Sequence, residues 1–434
     1  MDIYQKIIEV AESIEADLIA TRRDFHKHAE TGWFEMRTSS LIARRLTDLG
    51  YEVLVGEDVC DKDARMGVPP EEKLEEHYEK AAAWGADPEF LPATKGGMTG
   101  VIGILRCGEG PTVALRFDID ALGVNESQEE DHLPYKEGFA SINPGAMHAC
   151  GHDGHGTIGL GVAKVLMEIK NELHGTVKLI FQPAEEGVRG AKSIVAKGHL
   201  DGVDYFIGSH VTSKKPEDTA QVICGSYGSL ATCKYDVTYR GLAAHAGSSQ
   251  HLGKNALLAA AAATLNLYAI PRHGKANSQI NVGTLHAGSG RNVVADEAKM
   301  EIEVRGATTE VNNYMCAAAQ RVLESCAQMY GCQIEIKLMG AADSLCSDEG
   351  FVSQVGQSCR AVGLQVKDGM IRSFGSEDVS YMMNRVQEQG GSATFMRVMT
   401  VCAGPAHNRK YDFGEEVLVN GVKGFCSAVY DIMK

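Results

Sequence analysis

At 434 residues the chain is longer than one ordinary domain and predicts two or three. Its hydrophobic fraction of 44% and charged fraction of 23% fit a soluble globular protein, while a net charge of −15 argues against nucleic acid or an anionic membrane as partner. The 12 cysteines are scattered with no CxxC pair, the opening Met1-Asp2-Ile3 is not leader-like, and no apolar run nears the ~20 residues of a spanning helix; a reduced, cytoplasmic protein is expected.

Ile3, Ile7, Ile8, Ala11, Ile14, Leu18 and Ile19 recur at helical spacing and predict an amphipathic helix over 3–28. A second is expected from Glu35 to Leu49, ended by Gly50. The junction RRDFHKHAETGWFEMRT is dense in charge and reads as a solvated helix face with no assigned chemistry. Residues 56–98 form an irregular, charged insertion in which Pro69-Pro70 opens a helix from Glu71 to Ala83. A surface segment of that length often has a task, such as lining a substrate entrance. TVALRFDID, 112–120, alternates and then turns acidic, so it predicts a strand that delivers Asp118 and Asp120 to the carboxyl edge of a sheet. Two turn carboxylates would explain that segment equally well.

The densest group of potential ligands is MHACGHDGH, 147–155. Cys150 and His152 are two apart, so a turned backbone can aim both at one point, and a thiolate and a neutral imidazole both suit a borderline-soft divalent metal. Two ligands do not fill a coordination sphere, so others must come from elsewhere. After a helix over 157–170, the strand TVKLIF ends at Gln182-Pro183-Ala184-Glu185-Glu186-Gly187. Adjacent carboxylates project differently from an extended backbone: one can bind metal while the other faces water as a general base. A Glu-rich helix N-terminus is the plainer account, since a helix begins near Ala191. A further strand, Val203 to Ser209, places His210 where it stops.

From Gly228 to Met339 the pattern becomes β-α-β-β-α-β, a ferredoxin-like α+β unit set into a chain whose parallel-sheet features resume at 340–434. Within it His245 lies in GLAAHAG, a loop where a turn or capping role is the plain reading. SFGSEDVSYM, from Ser373, opens a helix with Ser376, Glu377 and Asp378 as capping groups. His407, in GPAHNRKYDF, is not singled out over His273 or His286 by its own surroundings.

RRDFHKHAETG, RFDIDAL, MHACGHDGH, FQPAEEG, GLAAHAG, INVGTLHAGSGRNVVAD, FGSEDVSYM and AHNRKYDF span nearly the whole chain. In that order they resemble the M20 metallopeptidase superfamily, in particular its amidohydrolase branch. DARMGVPPE, FASINPGAMHACGHDGH and LMGAADS resemble the group within it that acts on p-aminobenzoyl-glutamate. The resemblance implies an α/β, zinc-peptidase-like catalytic domain with a mixed central sheet, in two parts, 1–227 and 340–434, and an inserted dimerisation or lid domain, 228–339. It implies two divalent ions, Mn²⁺ or Zn²⁺, on Cys150, His152, Glu186, His210 and His407, with Cys150 bridging them and Glu185 as general base. His245 would stabilise the oxyanion, within one chain or across a dimer, and Asn281, Arg291 and Asn292 would bind the substrate carboxylate or shape its pocket. His148, Asp153 and His155 then fall to supporting roles. Glu126-Ser127-Gln128 replaces a commonly Pro-containing stretch and leaves substrate contacts there open. The implied reaction is hydrolysis of an N-acyl or N-aroyl amino acid, p-aminobenzoyl-glutamate giving p-aminobenzoate and glutamate. A general deacylase, a hippurate hydrolase or a dipeptidase is the alternative; in another class stands a weakly active subunit that only binds ligand. The implied assembly is a homodimer, or a heteromer with a related B-type subunit.

Overall fold

The computed structural model describes residues 2–373 and 375–434; Met1, in the opening read for a leader, and Phe374, in FGSEDVSYM, lie outside the described residues. The chain divides into two compact units. One comprises Met1–Tyr227, Leu345–Arg372 and Asp378–Lys434, the other Gly228–Ser344 and Ser373–Glu377.

In the first unit the strands Thr112–Asp118, Thr176–Gln182 and Ser392–Thr400 are buried along almost their whole length, as strands covered on both faces must be. Alternate residues serve opposite layers. Val113, Leu115, Phe117, Val177, Leu179 and Phe181 join one core cluster, Ala114 and Ile180 the other. The helices His152–Glu168 and Glu416–Met433 belong to the first cluster and Val379–Glu388 to the second, giving helix, sheet and helix layers. Gly159 allows the close seating of the first helix: a Cβ there would lie 2.6 Å from the Phe181 ring and 2.7 Å from that of Phe117.

The sheet has eight strands. Thr176–Gln182, Thr112–Asp118, Tyr205–Ser213 and Ser392–Thr400 lie side by side and parallel, so their carboxyl ends emerge together. Val101–Arg106 and Glu52–Val55 add antiparallel strands at one edge and make the sheet mixed. The helix expected over 3–28 is two helices, Ile3–Ser13 and Glu15–Lys27, because the backbone leaves helical geometry at Ile14 (φ −102°, ψ 7°). The insertion keeps its own small core, in which Leu74, Ala81, Ala86 and Leu91 pack with Met36. No helix among the described residues is long and apolar enough to cross a membrane.

The second unit carries a four-stranded antiparallel sheet in the order Gln333–Ala342, Ala231–Arg240, Glu297–Gly306, Ser278–Ala287. Ala256, Ala259, Ala260 and Ala263 of the helix Ala256–Tyr268 pack with Met300 and Ile302 of the sheet. The first segment of this compact unit ends at Ser344, where Met339 was expected. The last strand passes a register shift between Leu338 and Gly340 and keeps pairing through Ala342, so the apolar alternation that faded at 338 did not mark its end.

Candidate metal centre

Several chemistry-bearing segments leave the sheet at one edge. Asp118 closes its strand with Asp120 just beyond, and Glu185 and Glu186 follow the strand Thr176–Gln182. His210 was expected at a strand end, but that strand runs through Ser213, because residues 205–213 stay in register with 392–400. Cys150 arrives just ahead of the helix His152–Glu168, turned by Gly151 at φ 94°. A Cβ at Gly151 would also lie 3.1 Å from the Tyr411 hydroxyl, so conformation and space both call for glycine.

These elements bring Cys150, His152 and His210 together, with Cys150 Sγ 3.4 Å from His210 Nε2. Cys150, Glu186 and His407 form a second trio, and His152, Glu185 and Glu186 a third; within each, the potential ligand atoms lie within 4.8 Å of one another. His407 sits in a left-handed turn at φ 66°, with its amide donating to the Ala149 carbonyl over 2.7 Å. Its Nε2 is 3.7 Å from Glu186 Oε1. The five residues named as ligands, and Glu185, thus converge.

The donors present fit divalent cations. His152 donates Nδ1–H to the Asp120 carbonyl at 2.9 Å, while its buried Nε2, 3.8 Å from Asp118 Oδ2, has no hydrogen-bond partner and in the neutral ring offers its lone pair to a cation. Glu186 Oε1 is likewise buried without a hydrogen-bond partner. His210 donates Nδ1–H to the Val211 carbonyl at 2.6 Å and turns Nε2 toward Cys150. Burial, with His155 and Arg397 nearby, holds His210 well below the ordinary imidazole range, so it is the neutral form that ligates metal. Burial also pushes the Cys150 thiol up and raises Glu186 to about 7. Each buried polar atom left unpaired costs about 1–3 kcal/mol, and a bound cation removes that cost and the penalty on the charged thiolate and carboxylate.

Asp120 orders this arrangement. It is 1% exposed, its Oδ1 accepts the Glu185 N–H at 3.0 Å and its Oδ2 the Glu186 N–H at 2.8 Å. Oδ1 also lies 3.2 Å from His152 Nδ1. Residues with positive φ other than glycine gather here too: Ala184 (51°) and Val188 (61°) flank the glutamate pair, and Trp33 (70°) and His407 complete the set among the described residues. Such conformations cost about 1–3 kcal/mol each and persist where surroundings over-determine them. At Ala184 the determinant is Glu35, whose Oε1 accepts the Ala184 N–H at 2.7 Å.

The charged junction is corrected from a solvated face to a buried one: Arg22, His26, Glu30 and Glu35 are 0% exposed. Arg22 pairs with Asp153 at 2.8 Å and Asp412 at 2.5 Å, and His26 lies 2.9 Å from both Asp153 and Glu126. Glu30 accepts from the Arg37 and Thr38 amides and meets His77 of the insertion at 2.9 Å. Burial is tolerated because every charge has a partner. Glu126 spends its carboxylate on His26, His132 and the Ser141 amide. Asp378 caps a neighbouring helix rather than its own, accepting from the Gly190 and Ala191 amides at 3.0 and 2.9 Å. His155 is held by Asp118 and accepts the Val211 N–H at 2.8 Å, whereas neither ring nitrogen of buried His148 has a hydrogen-bond partner.

In the second unit His245 occupies an exposed turn. Its Nδ1 accepts the Gly247 and Ser248 amides at 3.1 Å each, which keeps the proton of the neutral ring on Nε2. The Asn292 carbonyl accepts the Ala246 N–H at 3.0 Å, placing Arg291 and Asn292 beside that turn. Asn281, on Ser278–Ala287, is held instead by the Tyr268 hydroxyl, 3.2 Å from its Oδ1.

Comparison with known proteins agrees with this geometry. The model of peptidase family M20/M25/M40 matches residues 114–431. The chain is 46% identical over 405 residues to indole-3-acetyl-aspartic acid hydrolase of Enterobacter agglomerans, covering 93% of this chain and 92% of that one. It is 44% identical over 422 residues to the A-type subunit of p-aminobenzoyl-glutamate hydrolase from Escherichia coli (strain K12), covering 96% of each. A dinuclear metal binding peptidase of family M20 from Bacillus subtilis superposes with a TM-score of 0.66 at 26% identity, covering 97% of this chain and 99% of that one. With the family model matched over most of its length, the chain belongs to peptidase family M20/M25/M40.

Proposed function

We propose that this protein hydrolyses the amide bond of N-acyl or N-aroyl derivatives of acidic amino acids, with p-aminobenzoyl-glutamate the foremost substrate, using two divalent ions, Mn²⁺ or Zn²⁺. The observation that carries the reading is the convergence of Cys150, His152, Glu186, His210 and His407 beside Glu185, with His152 Nε2 and Glu186 Oε1 buried without hydrogen-bond partners. Relatives named for hydrolysis of an aspartate conjugate and a glutamate conjugate support the substrate class.

Cations held by those side chains supply Lewis acidity, which polarises an amide carbonyl and acidifies water. Glu185 takes the proton of the attacking water as the C–O bond forms, then delivers it to the nitrogen as the C–N bond breaks, so the amine leaves neutral. Asp120 keeps Glu185 and Glu186 on their separate tasks through the two backbone amides. His245, protonated on Nε2, is suited to donate to the carbonyl oxygen as it gains charge. Asn281, Arg291 and Asn292 are assigned to the substrate carboxylate, for which an arginine fork is suited.

Catalysis is assigned to 1–227 and 340–434, and pairing with a second chain to the inserted unit. Exposed Leu257, Leu258, Leu265 and Tyr268 on one helix of that unit support a partner contact. The partner is a second copy or a related B-type subunit, the latter suggested by the relative named as an A-type one. A cytoplasmic setting suits the 12 unpaired thiols.

The test is a substrate panel on metal-loaded protein: p-aminobenzoyl-glutamate, hippurate, N-acetyl amino acids and dipeptides. Highest kcat/KM on p-aminobenzoyl-glutamate is expected. Preference for dipeptides or for neutral acyl amino acids would overturn the substrate, and no turnover with metal bound would favour a purely ligand-binding role.

A further inference from the structure

Two guanidinium groups pack on the Gly32–Trp33 turn next to the metal centre. Arg189 donates Nε–H to the Glu186 carbonyl at 2.8 Å and Nη1–H to the Gly67 carbonyl of the insertion at 3.2 Å. It lies so close to Gly32 that a Cβ there would be 2.3 Å from Arg189 Nη2. Arg65, two residues before Gly67, covers the Trp33 ring with its guanidinium carbon 5.4 Å from the centroid. Its Nη1 donates to the Gly96 carbonyl at 2.8 Å, while its Nε is buried without a hydrogen-bond partner. Trp33 Nε1 donates to the Met66 carbonyl at 2.8 Å and fixes the loop between the two arginines.

Among the described residues neither guanidinium forms an ion pair, although the chain holds 57 acidic residues against 42 basic. Arg22, Arg37 and Arg116, buried in the same unit, each pair with a carboxylate, Asp153, Asp24 and Asp118 in turn. Burial also pulls Arg65 below the usual guanidinium range, and Cys60 and Glu57 nearby only partly offset it. Two guanidinium groups without ion pairs beside one turn are suited to an anion, and a carboxylate can take the N–H groups their backbone bonds leave over. In an acidic protein a substrate with two carboxylates needs such local positive charge against the general repulsion.

We propose that Arg65 and Arg189 form the subsite for the side-chain carboxylate of the acidic amino acid in the substrate, an inference that rests on the amidohydrolase reading. It gives the insertion a function: Asp63-Ala64-Arg65-Met66-Gly67 carries one of the two cations to the edge of the glutamate loop.

The test compares p-aminobenzoyl-L-glutamate with p-aminobenzoyl-L-glutamine, which differ at the side chain in charge but hardly in shape. In Arg65→Met the glutamate-over-glutamine ratio of kcat/KM should fall at least about tenfold, and Arg65→Lys should hold it within about threefold of the parent. Arg65→Gln serves if the methionine variant fails to fold. Calorimetric titration with glutarate, which involves no turnover, should show Kd raised at least about tenfold in the same variants. Equal losses on both substrates, or unchanged glutarate affinity, would overturn the subsite and leave Arg65 as a brace for the insertion. If the parent cleaves neither substrate but Arg65→Met still loses glutarate, the subsite stands and the hydrolase reading falls.

Discussion

Two groups of similar side chains meet at one edge of one sheet and share His152. In the first, Asp118, His152 and His155, the protein satisfies its own members: Asp118 pairs with Arg116 and His155, and His155 accepts the Val211 amide on its other nitrogen. In the second, Cys150, His152, Glu185, Glu186, His210 and His407, the Glu186 Oε1 atom is buried without a hydrogen-bond partner, and His407 Nε2 stands 3.7 Å from it. His152 belongs to both by having two nitrogens, Nδ1 satisfied by Asp120 and Nε2, 3.8 Å from Asp118 Oδ2, without a hydrogen-bond partner. Residue type therefore does not separate a metal site from a structural network. What separates them is which lone pairs remain after the protein has used its own donors.

The largest effect that tests this contrast is on turnover. Glu185→Gln removes the base but none of the five proposed ligands, so kcat should fall by about 10²–10⁴ with metal content unchanged. Near-parental kcat would remove Glu185 from the role. Next is the self-satisfied side of the comparison. Arg22→Met strands Asp153 and Asp412 in the interior, and urea unfolding should show a loss of about 3–5 kcal/mol. A loss within error of zero would mean the buried network does not hold the fold. Asp120→Asn should be milder in stability but weaken metal affinity about 10–100-fold, because an amide side chain has one acceptor oxygen and cannot hold both glutamate N–H groups.

The smallest effect is a change in pH dependence. Burial alone would lower His26, but its hydrogen bonds to Asp153 and Glu126 prevail and raise it to about 9. Against an ordinary value near ~6.5, its contribution to stability is complete below that pH and lost as pH rises through 9. His26→Gln should therefore flatten the decline of the urea midpoint across this window. An unchanged decline would place its cause elsewhere.

Much of the comparison was legible in the sequence. The ferredoxin-like pattern, the helix Glu71–Ala83 and the approach of Cys150, His152 and the glutamate pair follow from periodicity, from Pro69-Pro70 and from ligand types at strand ends. The satisfied network was not, because charge density in RRDFHKHAETG looks the same whether water or a distant carboxylate pairs it. Arg22 finds its partners 131 and 390 residues away. Asp120 was hidden for the related reason that a carboxylate ending a strand resembles a turn residue until the amides it accepts are known. His407 comes from a loop with no periodicity, and only the fold, or the family resemblance, connects it to Glu186. The unmatched arginines were equally silent, since an ion pair's absence is a property of the folded chain.

The central claim is that unsatisfied lone pairs, not clustered histidines, mark the metal centre. Elemental analysis of the purified parent, Cys150→Ala and His155→Gln proteins tests it directly. The parent should hold about two divalent ions per chain. Cys150→Ala should lose most of that metal and His155→Gln should retain it. Parental metal content in Cys150→Ala with loss in His155→Gln would contradict the account.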